Sequence, residues 1–236
     1  MCSWIAALSL AVSAMTAVPP GDAAALLARA DAPHDDFKEG VIRLRVAVTE
    51  RGKPPLANLL ELFVKGSDAS LCVFREGKQQ GRKILTVGER VWLIVPGASR
   101  PVPVSKSQRL MGAASFGDIA RLRFAEEYEG ALRPGGDELV LDLSAKRKGA
   151  PYPKAVLWLD REDGLPRRLR LALASGKEAK EVRFTGYGDK LRLRTMEIRD
   201  LLAAGDEKVT SLVFESYEPK SLDPALFTPE GARAVP

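Results

Sequence analysis

The chain has 236 residues, 45% hydrophobic and 28% charged side chains and a formal net charge of +5, a balance that lets roughly 70% of the unfolded surface be buried in one large domain without staples. The positive excess is spread thinly, and the one compact basic run, Lys146-Arg147-Lys148, has no nucleic-acid-binding module around it, so it reads as a solvated hairpin tip and nucleic acid is not expected as a partner. One histidine and two cysteines are too few for a zinc site, another transition-metal centre or a disulfide framework.

In chain order, Trp4 to Val18 is an apolar, alanine-rich run with small residues at Val12-Ser13-Ala14 and Thr16-Ala17. It reads as a secretory signal with an approximate boundary at residue 24, although no Lys or Arg precedes it. Residues 25–236 then form a single domain, with a charge of about +6 once Asp22 is lost with the leader. Cys2 precedes the apolar run, whereas a lipid-anchored cysteine would follow it. Cys72, within Leu71-Cys72-Val73-Phe74, reads as a small buried strand residue.

Asp22 to Ala30 predicts a short helix with Asp22 as N-cap and Leu26 and Leu27 facing inward. A polar linker with the exposed His34 is expected from Asp31 to Gly40. From Val41 to Val48 the alternation is regular: Ile42, Leu44, Val46 and Val48 share one face of a strand, and Arg43 and Arg45 the other. After a turn at Gly52-Lys53-Pro54-Pro55, Leu56 to Lys65 continues as a strand with Leu60, Leu62 and Val64 on its inner side. A third strand spans Ala69 to Arg75.

Gly81 to Phe116 organises the rest. Lys83 to Val87 and Arg90 to Val95 are apolar runs joined by Gly88-Glu89, the signature of a two-residue hairpin with Gly at its first turn position. Pro96-Gly97 ends the second strand, Pro101 and Pro103 keep the next segment extended, and Ser105 to Gly112 reads as a short piece with helical character. Phe116 to Phe124 predicts a helix with Ile119 and Leu122 facing in. Seven further strands follow, at Tyr128 to Arg133, Leu139 to Ser144, Ala155 to Asp160, Leu165 to Ala174, Glu178 to Tyr187, Leu191 to Leu201 and Lys208 to Tyr217. Short turns between them predict an antiparallel meander. So many strands in one sheet accumulate twist and must curl, and a curled sheet that does not close needs a plug or a guest inside.

The signature from Gly81 onward, with its Ile84-Leu85, Gly88-Glu89, Trp92-Leu93, Ser107-Gln108-Arg109, Met111-Gly112 and Phe116 with Asp118 two positions on, resembles that of the LolA-like outer-membrane lipoprotein-sorting family. Two later segments share the resemblance: Ala155 to Arg168, where an apolar strand ends in an acidic turn and Pro166 starts the next, and the closing element Leu222 to Pro229, where Phe227 would pack back on the barrel. It spans about residues 37 to 230, with one departure at Ser115-Phe116-Gly117-Asp118, where relatives carry an extra aromatic and an acidic pair. The resemblance implies a mainly β fold: a strongly curved antiparallel sheet forming a half-open β-barrel, lidded by short helices. It also implies a periplasmic carrier that holds acyl chains of lipoproteins or lipids in its concave cavity and moves them from the inner toward the outer membrane. Implied partners are an inner-membrane exporter or transporter and an outer-membrane acceptor.

On this reading the acyl-binding candidates are Leu60, Leu62, Phe63, Leu85, Trp92, Ile94, Met111, Phe116, Trp158 and Leu171, with Arg100 and Arg109 at the flap as headgroup or partner contacts. In an alternating apolar pattern a cavity wall and a packed core look the same, so a structural role for these residues stays open. No catalytic residue, cofactor or metal is expected. His34 stands in a polar segment with no G-x-S-x-G elbow in the chain. The acidic groups Glu126-Glu127-Glu129 and Asp160-Glu162-Asp163 read as hydrated strand starts and turns. The alternative to a carrier is a periplasmic domain of the same fold that senses lipid or lipoprotein and signals through a partner; the short stretch after the closing element argues for the carrier.

Overall fold

The computed structural model describes residues 22–35, 37–105, 109–115, 123–134, 138–202 and 208–236; the leader-like segment and Phe116 lie outside them. Helix α1 (Ala23–Asp35) starts where the sequence placed it, with the Asp22 carboxylate accepting from the amides of Ala24 and Ala25. It runs on through Pro33 to Asp35, so the first half of the expected linker, with His34, belongs to the helix, and its end, Glu39-Gly40, already belongs to the first strand.

From β1 (Glu39–Glu50) the chain steps outward through β2 (Lys53–Lys65), β3 (Ala69–Phe74), β4 (Lys83–Val87) and β5 (Arg90–Ile94) to the edge strand β6 (Val102–Val104). Next come a separate hairpin, β7 (Arg109–Met111) and β8 (Ala114–Ser115), and the short helix α2 (Phe124–Glu127). They lead to the opposite edge, β9 (Tyr128–Leu132). The chain then returns through β10 (Leu139–Ala145), β11 (Lys154–Leu159), β12 (Pro166–Ala172), β13 (Glu178–Tyr187), β14 (Leu193–Asp200) and β15 (Val209–Pro219) to pair with β1. The result is one 13-stranded antiparallel sheet in the order β6-β5-β4-β3-β2-β1-β15-β14-β13-β12-β11-β10-β9. One continuous meander was expected; there are two, sewn together in the middle of the sheet. Such non-local pairing of first and last strands leaves no local signal.

Local chemistry explains the turns. Val87 pairs with Arg90 across Gly88-Glu89, with Gly88 at φ +55° as the tight hairpin requires. Pro103 sits in the short edge strand β6, the place in a sheet where a missing N–H costs least. Of the segment expected to be helical, residues 106–108 lie outside the described residues and Arg109–Met111 is instead strand β7, folded onto β8 about Gly112-Ala113, because Gly112 at φ +57° reverses the chain there.

The sheet curls around an apolar interior. Its concave wall consists of alternate residues, among them Ile42, Leu44, Val46 and Val48 of β1, Leu141 and Leu143 of β10, Leu157 of β11 and Leu212 and Phe214 of β15. Leu26, Leu27 and Ala30 of α1 and Phe124 of α2 pack into it. A second, smaller cluster lies on the other face of β3 to β5, where Leu71, Val73, Leu85 and Ile94 are covered by Leu222, Phe227 and Ala232 of the C-terminal segment, which ends in α3 (Pro229–Ala234). The closing element therefore packs back as expected, on the convex side. Strands buried on both faces explain why Leu71-Cys72-Val73-Phe74 shows no alternation.

Cys72 points into the main cluster, and burial alone pushes its thiol up to about 12. At pH 8 it is expected to react with a disulfide reagent only after the sheet opens. Labelling should be slow in buffer and complete within the mixing time in denaturant; fast labelling in buffer would place this part of the sheet among readily opened regions.

Candidate functional site

The β7–β8 hairpin makes no ladder with the main sheet but lies across its concave wall like a strap, held by polar side chains set in a mostly apolar surface. Asn58 of β2 places its Nδ2 2.8 Å from the Met111 sulfur. Thr210 of β15 accepts the Ala113 amide at 2.8 Å, and Lys180 of β13 reaches the Ser115 hydroxyl at 3.3 Å. All three wall residues are buried. Each stands on the inward face one alternation before an apolar series: Asn58 before Leu60 and Leu62, Thr210 before Leu212 and Phe214, Lys180 before Val182 and Phe184. That break in the pattern is readable in the sequence, but only once the inward parity of each strand is known.

At the strap's turn, Gly112 lies so close to the wall that a Cβ would come 2.3 Å from Thr210 Oγ1 and 2.7 Å from Val48 Cγ2. The helices are fastened nearby. Both carboxylate oxygens of Asp31 in α1 accept amides at the start of α2, from Phe124 at 2.9 Å and Ala125 at 2.8 Å, as an N-cap supplied by another helix. Arg29 donates to the carbonyls of Asp163 and Glu162, tying α1 to the turn between β11 and β12. The acidic cluster there closes that turn: Asp160 Oδ1 accepts from the amides of Glu162 and Asp163, and Arg167 pairs with both Asp160 and Asp163. Among the described residues no group of His, Cys, Asp and Glu is arranged to hold a metal ion.

A family model described as "-like: Uncharacterized protein" matches residues 66–231, more than half of the chain. A LolA superfamily protein from Nitrosomonas europaea superposes with a TM-score of 0.79 at 24% identity, over 88% of this chain and 98% of that one. The chain has the LolA-like fold. Two other solved structures are similar. A DUF1329 family protein from Desulfovibrio piger gives a TM-score of 0.74 at 20% identity, over 87% of this chain and 95% of that one. An outer membrane lipoprotein-sorting protein domain from Vibrio parahaemolyticus gives 0.74 at 18% identity, over 89% of this chain and 98% of that one. No curated protein matches the chain.

The LolA-like sheet sorts the sequence candidates onto two faces. Leu60, Leu62, Met111 and Leu171 belong to the cluster that fills the concave side. Phe63, Leu85, Trp92 and Ile94 do not join them: they belong to the convex cluster beneath the C-terminal segment. The reason is parity. Leu62 and Phe63 are neighbours on one strand and must point to opposite faces, and the register Phe63↔Leu71, Leu71↔Leu85, Leu85↔Trp92 carries Phe63's face across to β5. Trp158 is half-buried between the inward-facing Leu157 and Leu159 and points outward, with the Arg168 guanidinium stacked 3.9 Å from its ring centroid. Arg100 is exposed in the turn before β6, and Arg109 begins β7, where it pairs with Ser115. Phe116 lies outside the described residues.

Proposed function

We propose that this LolA-like protein is a periplasmic carrier that takes acyl chains of a lipoprotein or lipid onto its concave wall when the β7–β8 strap lifts. The observation that supports this reading is the strap itself. It covers an apolar wall made by strands from both halves of the sheet, yet it shares no ladder with that sheet and is fastened by a few side-chain bonds. Replacing such a cover with an acyl chain keeps the wall dry, each buried CH₂ contributing about 0.8 kcal/mol. Exchange of one apolar surface for another leaves net affinity modest, as handing cargo on requires. Loading by an inner-membrane exporter and release to an outer-membrane acceptor complete the proposal. The structural neighbour described as a lipoprotein-sorting domain fits this assignment.

The test is uptake of an uncharged fluorescent acyl probe by the purified protein, together with native mass spectrometry of protein taken from the periplasm of its host. Saturable uptake is expected, with co-purifying acylated species. In Leu62→Asp or Leu171→Asp variants that remain folded, uptake should fall at least tenfold, because a carboxylate on the wall must be desolvated against the chain. A clean apo mass with no probe uptake would show a sheet packed permanently by its own side chains and would end the carrier reading.

A further inference from the structure

Asn58 is a costly residue to place on the concave wall. It opens the inward series that continues with Leu60, Leu62 and Val64 on β2, and it stands in register with Val46 of β1, as Leu60 does with Leu44 and Leu62 with Ile42. The residue is only 6% exposed. Its Oδ1 has no hydrogen-bond partner among the described residues and is held against Gly77, where an added Cβ would come within 2.4 Å of it. Its Nδ2 donates to the Met111 sulfur of the strap at 2.8 Å. A thioether is a weak acceptor. The opposite orientation of the amide would set Oδ1 against that sulfur, two acceptors face to face, so the donor end is the one that meets the strap. A leucine at this position would complete the apolar wall, whereas a buried amide with one end unpaired and the other weakly paired carries the desolvation penalty of its polar atoms. The one hydrogen-bond partner it has belongs to the element that the carrier reading requires to move.

We propose that Asn58 is the subsite for the carbonyl at the head of an acyl chain: the lifting strap takes Met111 away, and Nδ2 donates instead to the oxygen of an ester or amide linkage. This deepens the carrier reading and rests on it. It narrows the cargo to lipids whose chains are attached through a carbonyl, in preference to hydrocarbons and ether-linked chains. A carbonyl oxygen offers two lone pairs and is a better acceptor than a thioether, so the exchange improves a bond that the empty protein makes only weakly. Being neutral, it brings no charge onto the wall, and the apolar neighbours strengthen the new bond. The placing also suits a chain. Beyond Asn58 the inward rows of β1 and β2 run on through Leu60 and Leu62 to Val64. That is roughly 20 Å of apolar strand at about 3.3 Å per residue, against about 15 Å for half of a bilayer's hydrocarbon core. Met111 is the placeholder that keeps Nδ2 hydrogen-bonded in the empty protein.

The experiment is displacement of the uncharged fluorescent acyl probe by methyl dodecanoate and by dodecyl methyl ether, which differ only in a C=O against a CH₂. It is run on the wild type, Asn58→Leu and Met111→Leu. The ratio of ester to ether affinity is expected to be about fivefold or more higher in the wild type than in Asn58→Leu, roughly the 1 kcal/mol of one net hydrogen bond. Met111→Leu should keep the wild-type ratio, because the placeholder is absent from the occupied state. A role in fastening the strap alone would move both ligands together and leave the ratio unchanged. The same ratio in the wild type and Asn58→Leu therefore overturns the carbonyl subsite while leaving the carrier reading in place. No binding of the uncharged probe removes the carrier reading itself, and the subsite with it. If Asn58→Leu does not fold, the infrared C=O stretch of carbonyl-labelled methyl dodecanoate bound to the wild type decides the question. A band at lower frequency than in a hydrocarbon solvent supports the bond, and an unshifted band overturns it.

Discussion

Replacing Gly112 with valine is expected to unseat the strap, raising the rate of acyl-probe uptake at least tenfold while the main sheet stays folded. Two independent effects act at this position. Gly112 has φ +57°, a region that a β-branched residue enters only under strain of roughly 1–2 kcal/mol. Its new Cβ would also stand 2.3 Å from Thr210 Oγ1 and 2.7 Å from Val48 Cγ2, and both of those residues are buried in neighbouring strands of the wall. The sheet strands are tied by ladders on both sides and the strap is not, so the strap moves. With it goes the bond from the Ala113 amide to Thr210. A combined cost of about 2–3 kcal/mol multiplies the open population by 30-fold or more. Stopped-flow uptake, beside a thermal melt that reports the sheet, separates the outcomes. An unchanged uptake rate with a shifted melt would mean that the strap is part of the core and that ligands enter elsewhere.

The second large effect is expected on the other face. Phe227→Ala should cost about 3 kcal/mol of stability, at the low end for a buried phenylalanine, and lower the melting temperature by roughly 6–12 °C. Phe227 is the largest side chain that the C-terminal segment lays on Leu71, Val73, Leu85 and Ile94. The segment is fixed on either side of it. Lys65 donates to the Leu222 carbonyl at 2.9 Å, Lys83 to the Arg233 carbonyl at 3.1 Å, and Thr228 caps α3 by accepting the Gly231 amide. Losing the ring leaves a void between well-fixed walls, where a cavity relaxes least. Acyl-probe affinity, measured below the transition, should stay within twofold of the wild type, because the concave wall is on the opposite side of the sheet. A large loss of affinity with little change in stability would move the ligand site to the convex face, beside Phe63 and Trp92.

Those paired outcomes turn on what the sequence could and could not say. The alternation of Ile42, Leu44, Val46 and Val48, the Gly88-Glu89 hairpin, the Asp22 cap and most of the strands from Tyr128 onward follow from residue types within a few positions of one another. They are legible because a strand has a period of two and a tight turn needs a particular backbone. The curl itself could be argued from strand number and twist, and the resemblance pointed to the fold. Alternation, however, has a period and no sign. It says that Leu62 and Phe63 face opposite ways, not which of them faces the concave side. For β3 to β5 both faces are apolar, because the C-terminal segment covers the outer one, and the pattern offers nothing to choose by. Only the tertiary structure decided that, together with the pairing of β1 with β15, the crossing from β6 to β9 and the row of Asn58, Thr210 and Lys180 beneath the strap. These features join residues far apart in sequence, and their energy comes from contacts that do not exist until the sheet has curled.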